Sequence, residues 1–138
     1  MLKPDLPSHI TSLLQSFDNL SDQEKIEKII FIGSKLPTMP NASKKPSNLV
    51  PGCQSQLYIA VSMNEDNLSI QADSDALISK GLAALFLQAY SGQSIYFLFD
   101  NPPHFFSKIG LFSMISVQRQ QGFLSLYKHV LKACSKFV

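Results

Sequence analysis

One turn carries the side chain with the most reactive chemistry in this 138-residue chain. Cys53 follows Pro51 and Gly52, two residues that favour a turn. An apolar/polar alternation typical of a β-strand begins at Leu57. A thiol at such a turn can be presented to another molecule, and its thiolate is a nucleophile. The other cysteine, Cys134, lies on the predicted inner face of the last helix, where we expect it to be a buried apolar side chain.

The remaining metal-ligand and base side chains are widely scattered along the sequence. Structural zinc requires four ligands, usually with closely spaced cysteines or histidines, so we expect no metal site. A cysteine-dependent hydrolase would need a histidine within hydrogen-bond reach of Cys53 and an oxyanion hole. His104 and His129 could approach Cys53 only through the fold, because no local sequence signature pairs them with it.

Two carboxylates, Asp73 and Asp75, precede a strong helical pattern that runs from about residue 76 to 90. We expect at least one of them to cap that helix, where a carboxylate accepts from free backbone amides, and the second to be free to contact a partner. Lys80 and Gly81 lie inside the same helix. A glycine there costs up to ~1 kcal/mol relative to alanine, so Gly81 predicts close packing against a neighbouring element.

The periodicity of the chain predicts an α+β fold with a small antiparallel sheet packed against helices. Ser21 and Glu24 form a predicted capping box at the start of the second helix. The apolar run 95–99 is consistent with a buried strand, which would be a third strand of the sheet, or with a short helix. The other expected elements are helices at about 8–17, 22–36, 76–90 (with Leu77 on its apolar face) and 116–137, a proline-rich loop at 37–51 and a hairpin at about 54–72.

Length and composition favour a single domain over residues 1–138. The 45% hydrophobic and 16% charged content is typical of a compact soluble protein. A net charge of +2 without a basic run argues against nucleic-acid binding. No apolar stretch approaches the ~18 residues of a membrane span, and the first residues do not form a signal peptide, so we expect a cytoplasmic protein with free thiols.

Four short segments in this order resemble the SufE family of sulfur-acceptor proteins, and the resemblance covers most of the chain. The first contains the cysteine, the second and third lie at the start of the helix after the hairpin, and the fourth lies in the last helix. They are Gly52-Cys53-Gln54-Ser55-Gln56, Asp73-Ser74-Asp75-Ala76, Lys80-Gly81-Leu82, and Arg119 with Gly122.

The resemblance implies a specific sulfur-transfer function. Cys53 would take the terminal sulfur of a persulfide on a SufS-type cysteine desulfurase, stimulate that enzyme, and pass the sulfur to an iron–sulfur scaffold complex. Pyridoxal phosphate would belong to the desulfurase, so the chain itself needs no cofactor and is not a stand-alone enzyme. The implied fold is similar to that of the IscU-type scaffold proteins.

The resemblance also implies roles for the residues around the cysteine. Gly52 would let the loop bend, and Gln54, Ser55 and Gln56 would fix its exit into the strand. Asp75 and Arg119 would contact the partner or support the loop. The remaining loop and partner-contact candidates are Asp73, Lys80 and Gly81. Two alternatives stay open: an interaction module with an incidental cysteine, and a cysteine-dependent hydrolase or redox sensor.

Overall fold

A computed structural model describes residues 6–52, 56–110, 113 and 115–137. Within these ranges the α+β class predicted from the sequence is confirmed: a two-stranded antiparallel sheet packs against helices. Short 3-10 segments join several of the main elements. The helices and strands, in chain order, are α1 Ser8–Gln15, α2 Asp22–Ser34, β1 Leu57–Asn64, β2 Asn67–Ser74, α3 Leu77–Tyr90, α4 Ile95–Asp100 and α5 Val117–Cys134.

The start of α2 is fixed by local sequence chemistry. Ser21 Oγ accepts a hydrogen bond from the Glu24 amide at 3.2 Å, and Glu24 Oε1 accepts from the Ser21 amide at 2.9 Å. The two bonds satisfy amides that the first turn of a helix leaves unpaired. The predicted capping box is therefore confirmed. The first helix, α1, ends at Gln15, two residues earlier than the periodicity predicts.

The predicted hairpin is also confirmed, although its strands are shifted. β1 and β2 pair from Leu57↔Ser74 to Asn64↔Asn67, and the turn uses Glu65 at a φ of 59°. The described sheet has two strands, so of the two alternatives for the run 95–99 the short helix is confirmed and the third strand is excluded. That run forms α4, whose first turn is capped by Ser94 Oγ accepting from the Phe97 amide at 3.1 Å.

The expectation that Asp73 or Asp75 caps the long helix is wrong. β2 continues through Ser74, because Ser74 pairs with Leu57 at the far end of the hairpin. The N-cap of α3 is Ala76, which has no side-chain capping bond. Instead, Ser74 Oγ accepts from the Ala76 amide at 3.3 Å. Both carboxylates are thereby released for other contacts.

The core lies around α3, which packs against α2, the sheet and α5. The residues in its middle, from Gly81 to Phe86, are all buried. Leu77 was expected on the apolar face but has 66% of its surface exposed, since it begins the helix at the edge of the fold. Tyr127 of α5 donates its hydroxyl to the Leu98 carbonyl oxygen at 2.7 Å and so ties α5 to α4.

The proline-rich segment between α2 and β1 follows the protein surface with two buried anchors. Met39 is 2% exposed and Val50 is 3% exposed. Between them lie the 3-10 turns Asn41–Ser43 and Pro46–Asn48.

No helix in the described ranges combines the length and apolar character needed to cross a bilayer. The cytoplasmic location and the single domain stay predictions.

Candidate functional site

The loop that carries the predicted site leaves and re-joins the fold at a hydrogen-bonded base. The Val50 amide donates to the Leu57 carbonyl oxygen at 2.8 Å, and Leu49 forms an antiparallel bridge with Tyr58. These contacts place the residue before the loop beside the first residue of β1. The residues on either side of the predicted site, Val50 and Leu57, are therefore held next to each other.

The C-terminal end of this loop is clamped by β2. The Gln56 amide donates to Asp75 Oδ1 at 3.1 Å, and the Gln56 carbonyl oxygen accepts from Ser74 Oγ at 2.7 Å and from the Asp75 amide at 3.3 Å. Three bonds thus fix both backbone polar groups of Gln56. The Asp75 carboxylate thus binds the residue that precedes β1, which agrees with the loop-support alternative implied by the resemblance and not with a helix cap.

The N-terminal end of the loop approaches α5. Gly52 is exposed and has a φ of +79°, a left-handed conformation that glycine adopts without the strain of a side chain. A Cβ built on Gly52 would lie 3.4 Å from Ser125 Oγ. Cys53, Gln54 and Ser55 lie outside the described residues, so their assigned roles stay predictions.

An apolar cleft lies between the start of β1, α3 and α5. Its cavity volume is about 20 Å³, which is room for roughly one water molecule, and it is partly open to solvent. Leu57, Phe123 and Leu126 are buried in its walls. The other described residues that line it are Ser79, Leu82, Ala83, Gln118, Arg119 and Gly122. The cleft therefore joins two of the resemblance segments, the Lys80–Leu82 segment and the Arg119–Gly122 segment.

Arg119 supplies the cleft with its positive charge. The backbone of Arg119 is part of the first turn of α5, where its amide donates to Ser116 Oγ at 3.2 Å. Its Nε atom is shielded from solvent, and no hydrogen-bond partner for it is found among the described residues. A buried N–H without a partner is costly, typically by about 1–3 kcal/mol. The cleft thus holds a donor that an anion or an acceptor could satisfy.

Asp73 lies at the end of β2 and binds two lysines. Its carboxylate oxygens are 3.0 Å from Lys44 Nζ and 3.5 Å from Lys80 Nζ, and Oδ1 also accepts from the Ser74 amide at 2.8 Å. Partial burial raises the pKa of Asp73, but the bonds from Lys44 and Ser74 and the charge of Lys80 outweigh it, so the pKa lies below 3.8. Asp73 therefore ties the proline-rich segment to α3.

Gly81 packs against the backbone of α2, as its position inside a helix predicted. A Cβ on Gly81 would overlap the carbonyl oxygen and the side chain of Ile29. A Cβ on Gly33 would lie 2.7 Å from the Gly81 amide nitrogen. The two glycines allow α2 and α3 to touch at backbone distance. This contact positions the first turns of α3, and with them Lys80 and the cleft residue Ser79.

The side chains considered for other chemistry lie elsewhere. Cys134 is fully buried, and burial raises the pKa of its thiol above the usual value, although the charge of Lys136 opposes this. His104 is exposed, whereas His129 is partly buried and its pKa is lowered by burial and by the charge of Lys132. Neither histidine is among the described residues that line the cleft. In the described ranges, no three His, Cys, Asp or Glu side chains are grouped as a metal site would require.

Sequence reasoning missed three residues of this region. The pairing of Lys44 with Asp73 joins residues 29 positions apart, so no local pattern could reveal it. Phe123 and Leu126 were recognised at most as core positions of α5. The 3.6-residue spacing of Arg119, Phe123 and Leu126 places all three on one side of the helix and is the signal that could have grouped them.

Comparison with known proteins places the chain among related sequences. The family model for SufE, described as an Fe-S metabolism associated domain, matches residues 11–134. A SufE-like protein of Synechocystis is 31% identical over 93% of this chain and 81% of its own length. The cysteine desulfuration protein SufE of Wigglesworthia glossinidia brevipalpis is 33% identical over 80% of this chain and 78% of its own length.

Two further comparisons concern chain length and fold. SufE-like protein 1 of Arabidopsis thaliana, named as chloroplastic/mitochondrial, is 30% identical over 93% of this chain, which spans only 35% of that protein. A solution structure of a hypothetical protein from Thermus thermophilus has a TM-score of 0.80 at 18% identity and covers 96% of this chain and 97% of its own. That likeness supports the fold, and the family match together with the curated relatives shows that this chain belongs to the SufE family.

Proposed function

We propose that this protein is a sulfur acceptor that takes persulfide sulfur from a pyridoxal-phosphate-dependent cysteine desulfurase onto Cys53 and passes it on for iron–sulfur cluster assembly. The observation that carries the proposal is the pair of hydrogen-bonded anchors that flank Cys53 in the chain, Val50–Leu57 and Gln56–Asp75, beside a cleft that Leu57 and Arg119 line. Membership of a family associated with Fe-S metabolism supports the same function.

The choice of sulfur atom follows from the burial of the second thiol. Cys134 is 0% exposed, and burial raises its pKa, so it can neither reach a partner nor supply a thiolate readily. Cys53 is the only other cysteine in the sequence. Sulfur transfer through this protein therefore has one available acceptor.

The proposed chemical step is an exchange at sulfur. The Cys53 thiolate attacks the terminal sulfur of the desulfurase persulfide, a new S–S bond forms on Cys53, and the S–S bond of the desulfurase breaks. The desulfurase cysteine leaves as a thiolate, so no external oxidant or reductant is needed. A thiolate of the next acceptor then attacks the terminal sulfur carried by Cys53 in the same way.

Arg119 would stabilise the anionic forms of this reaction. A nearby guanidinium favours a thiolate over a thiol and can donate hydrogen bonds to it. Its buried Nε atom has no hydrogen-bond partner among the described residues, and it lies in an apolar cleft. If the sulfur carried by Cys53 enters the cleft, this N–H gains an acceptor.

The edge of the cleft offers apolar contacts for docking. Leu77 and Val117 begin α3 and α5 and are each 66% exposed, two positions before the cleft residues Ser79 and Arg119. Exposed apolar side chains beside a functional cleft are typical of protein–protein contact sites. We infer that the desulfurase covers this edge when sulfur is transferred.

The test is mass spectrometry of the intact protein after incubation with a cysteine desulfurase and L-cysteine. We expect the gain of one sulfur atom, which is lost on reduction, in the native protein and in Cys134→Ser, and no gain in Cys53→Ser. Sulfur gained by Cys53→Ser, or none gained by the native protein, would contradict the proposal. Equal stimulation of the desulfurase by Cys53→Ser would instead favour an interaction module, and ester or peptide turnover without a partner would favour a hydrolase.

A further inference from the structure

The charges of the chain are unevenly divided along the sequence. Residues 1–100 contain all ten acidic residues together with seven lysines, whereas residues 101–138 contain five basic residues and no acid. The C-terminal part therefore has a formal charge of +5, although the whole chain has only +2. Most of this charge belongs to α5 and the short 3-10 segment Ser135–Phe137 that follows it.

Three of these charges form a line on the outer surface. Lys128, Lys132 and Lys136, here called the lysine row, follow one another at intervals of four residues, and all three are exposed. Along a helix this interval corresponds to a rise of about 6 Å per step. Leu124, one further interval towards the N-terminus, is 47% exposed and extends the row with an apolar side chain.

Within the described part of the chain, the row forms no ion pair at 4.0 Å or less. The ion pairs found there are those of Asp73 with Lys44 and Lys80. The steps of about 6 Å are shorter than the ~10 Å Debye length at 0.1 M salt, so the charges of the row repel one another. The helix dipole favours cations in the last turn, which accounts for Lys132 but not for Lys128, six residues before the end of α5.

The row and the cleft lie on different sides of α5. Nine residues separate Arg119 from Lys128, which is about two and a half turns and points the two side chains in opposite directions. Burial agrees with this geometry, since the cleft residues Phe123 and Leu126 are buried, whereas Lys128 is exposed. A molecule bound along the row would leave the cleft open.

We propose that the lysine row is a second interaction surface, which binds an acidic helix of a partner protein while the cleft remains accessible. The row is one side chain wide, and its four-residue spacing matches acidic side chains repeated at the same interval on a facing helix. Leu124 adds an apolar contact at one end. Nucleic acid would favour a broader basic face, and a membrane would favour an exposed apolar face, whereas the apolar side of α5 is buried in the core.

This surface does not depend on the sulfur chemistry of Cys53, and its test uses the full chain. The probe is a fluorescent, alanine-based helical peptide that carries one leucine followed by three glutamates at four-residue spacing. The test variant is Lys128→Glu/Lys132→Glu/Lys136→Glu. The matched control is Lys35→Glu/Lys45→Glu/Lys108→Glu, which reverses three exposed lysines elsewhere on the protein and has the same net charge.

Binding is measured by fluorescence anisotropy at low and at physiological ionic strength. We expect the native protein to bind the peptide, salt to weaken the binding, and the row variant to bind about tenfold more weakly, as the loss of three exposed ion pairs predicts. The control should bind within about twofold of the native protein. The row variant should still accept sulfur from a desulfurase, because the row lies away from the cleft.

Five outcomes would overturn the proposal. If the control variant lost peptide affinity as much as the row variant, binding would depend on net charge alone. If the native protein did not bind the peptide, the lysine row would not be a binding surface for an acidic helix. The native protein could bind duplex DNA, or phosphatidylcholine vesicles containing one-third phosphatidylserine, more tightly than the peptide. If the row variant lost that binding, the row would belong to another class of partner. Self-association in sedimentation velocity that disappears in the row variant would assign it to a second copy. Loss of sulfur acceptance by a folded row variant would place the row in the desulfurase contact and contradict a separate surface.

Discussion

Replacing Asp75 with alanine should loosen the base of the loop at residues 51–56 without unfolding the protein. The change removes the carboxylate that accepts from the Gln56 amide at 3.1 Å and leaves the two bonds to the Gln56 carbonyl oxygen in place. Asp75 is exposed, so water can replace part of the lost interaction. A net contribution of about 1 kcal/mol is therefore expected, the middle of the range for one hydrogen bond.

A free-energy difference of this size changes a local equilibrium about fivefold. We expect the Gln56 amide to exchange its hydrogen about five times faster in Asp75→Ala than in the native protein, as measured by native-state hydrogen exchange. Amides in the middle of α3 should keep their exchange rates, because they are buried away from the loop. Asp75→Asn retains a side-chain acceptor, so its Gln56 amide should exchange at a rate between those of the native protein and Asp75→Ala.

The matched control is Asp66→Ala, which removes another exposed carboxylate at the opposite end of the hairpin. It should leave Gln56 exchange unchanged. An unchanged exchange rate in Asp75→Ala would refute the assignment of Asp75 as the loop clamp. Faster exchange throughout the protein would also refute it, because the carboxylate would then stabilise the whole fold rather than the loop base.

Three further changes test other parts of the structure. Gly81→Ala should lower the free energy of unfolding by about 1–3 kcal/mol in denaturant titrations, because its Cβ would overlap the Ile29 carbonyl oxygen, and a neutral or stabilising effect would contradict that contact. Because the pKa of Asp73 is lowered in the folded protein, its ionised carboxylate stabilises the fold above about pH 3.8, and this stabilisation is lost as the pH falls through the lowered pKa. Asp73→Asn should therefore make the free energy of unfolding fall less steeply at acid pH. An unchanged acid dependence would show that Asp73 does not contribute to it. Leu77→Glu should reduce desulfurase stimulation severalfold if Leu77 contacts the desulfurase. The midpoint of thermal unfolding should not change, because the side chain is 66% exposed. Full stimulation by Leu77→Glu would show that Leu77 is not part of the docking edge.

Local patterns in the sequence predicted the elements whose determinants are themselves local. The capping box of Ser21 and Glu24 and the alternation in β1 needed no tertiary information. Gly81 predicted a close contact because glycine is unfavourable inside a helix and is expected there only where a larger side chain does not fit. The sequence did not identify Ile29 as the neighbouring residue. The α+β class followed from these pieces.

The helix cap predicted at Asp73 or Asp75 is wrong because distant residues decide that position, whereas the choice left open for residues 95–99 is settled by a neighbouring residue. An Asp-Ser-Asp segment suits a helix cap or the end of a strand equally well, and the pairing of Ser74 with Leu57 selects the strand. The apolar run 95–99 became a helix because Ser94 caps it at Phe97. The cleft was not predicted as a unit, because its walls come from three elements that meet only in the folded protein.

The closed base of the loop has a consequence for protein engineering. Because Val50 and Leu57 are already joined by a backbone hydrogen bond, the six residues between them form an exchangeable cassette. Grafting the corresponding stretch from a homologue should preserve the pairing of β1 with β2, since none of the ladder partners from Leu57 to Ser74 is replaced. Chimeras of this kind would separate what the cassette contributes to partner choice from what the scaffold contributes.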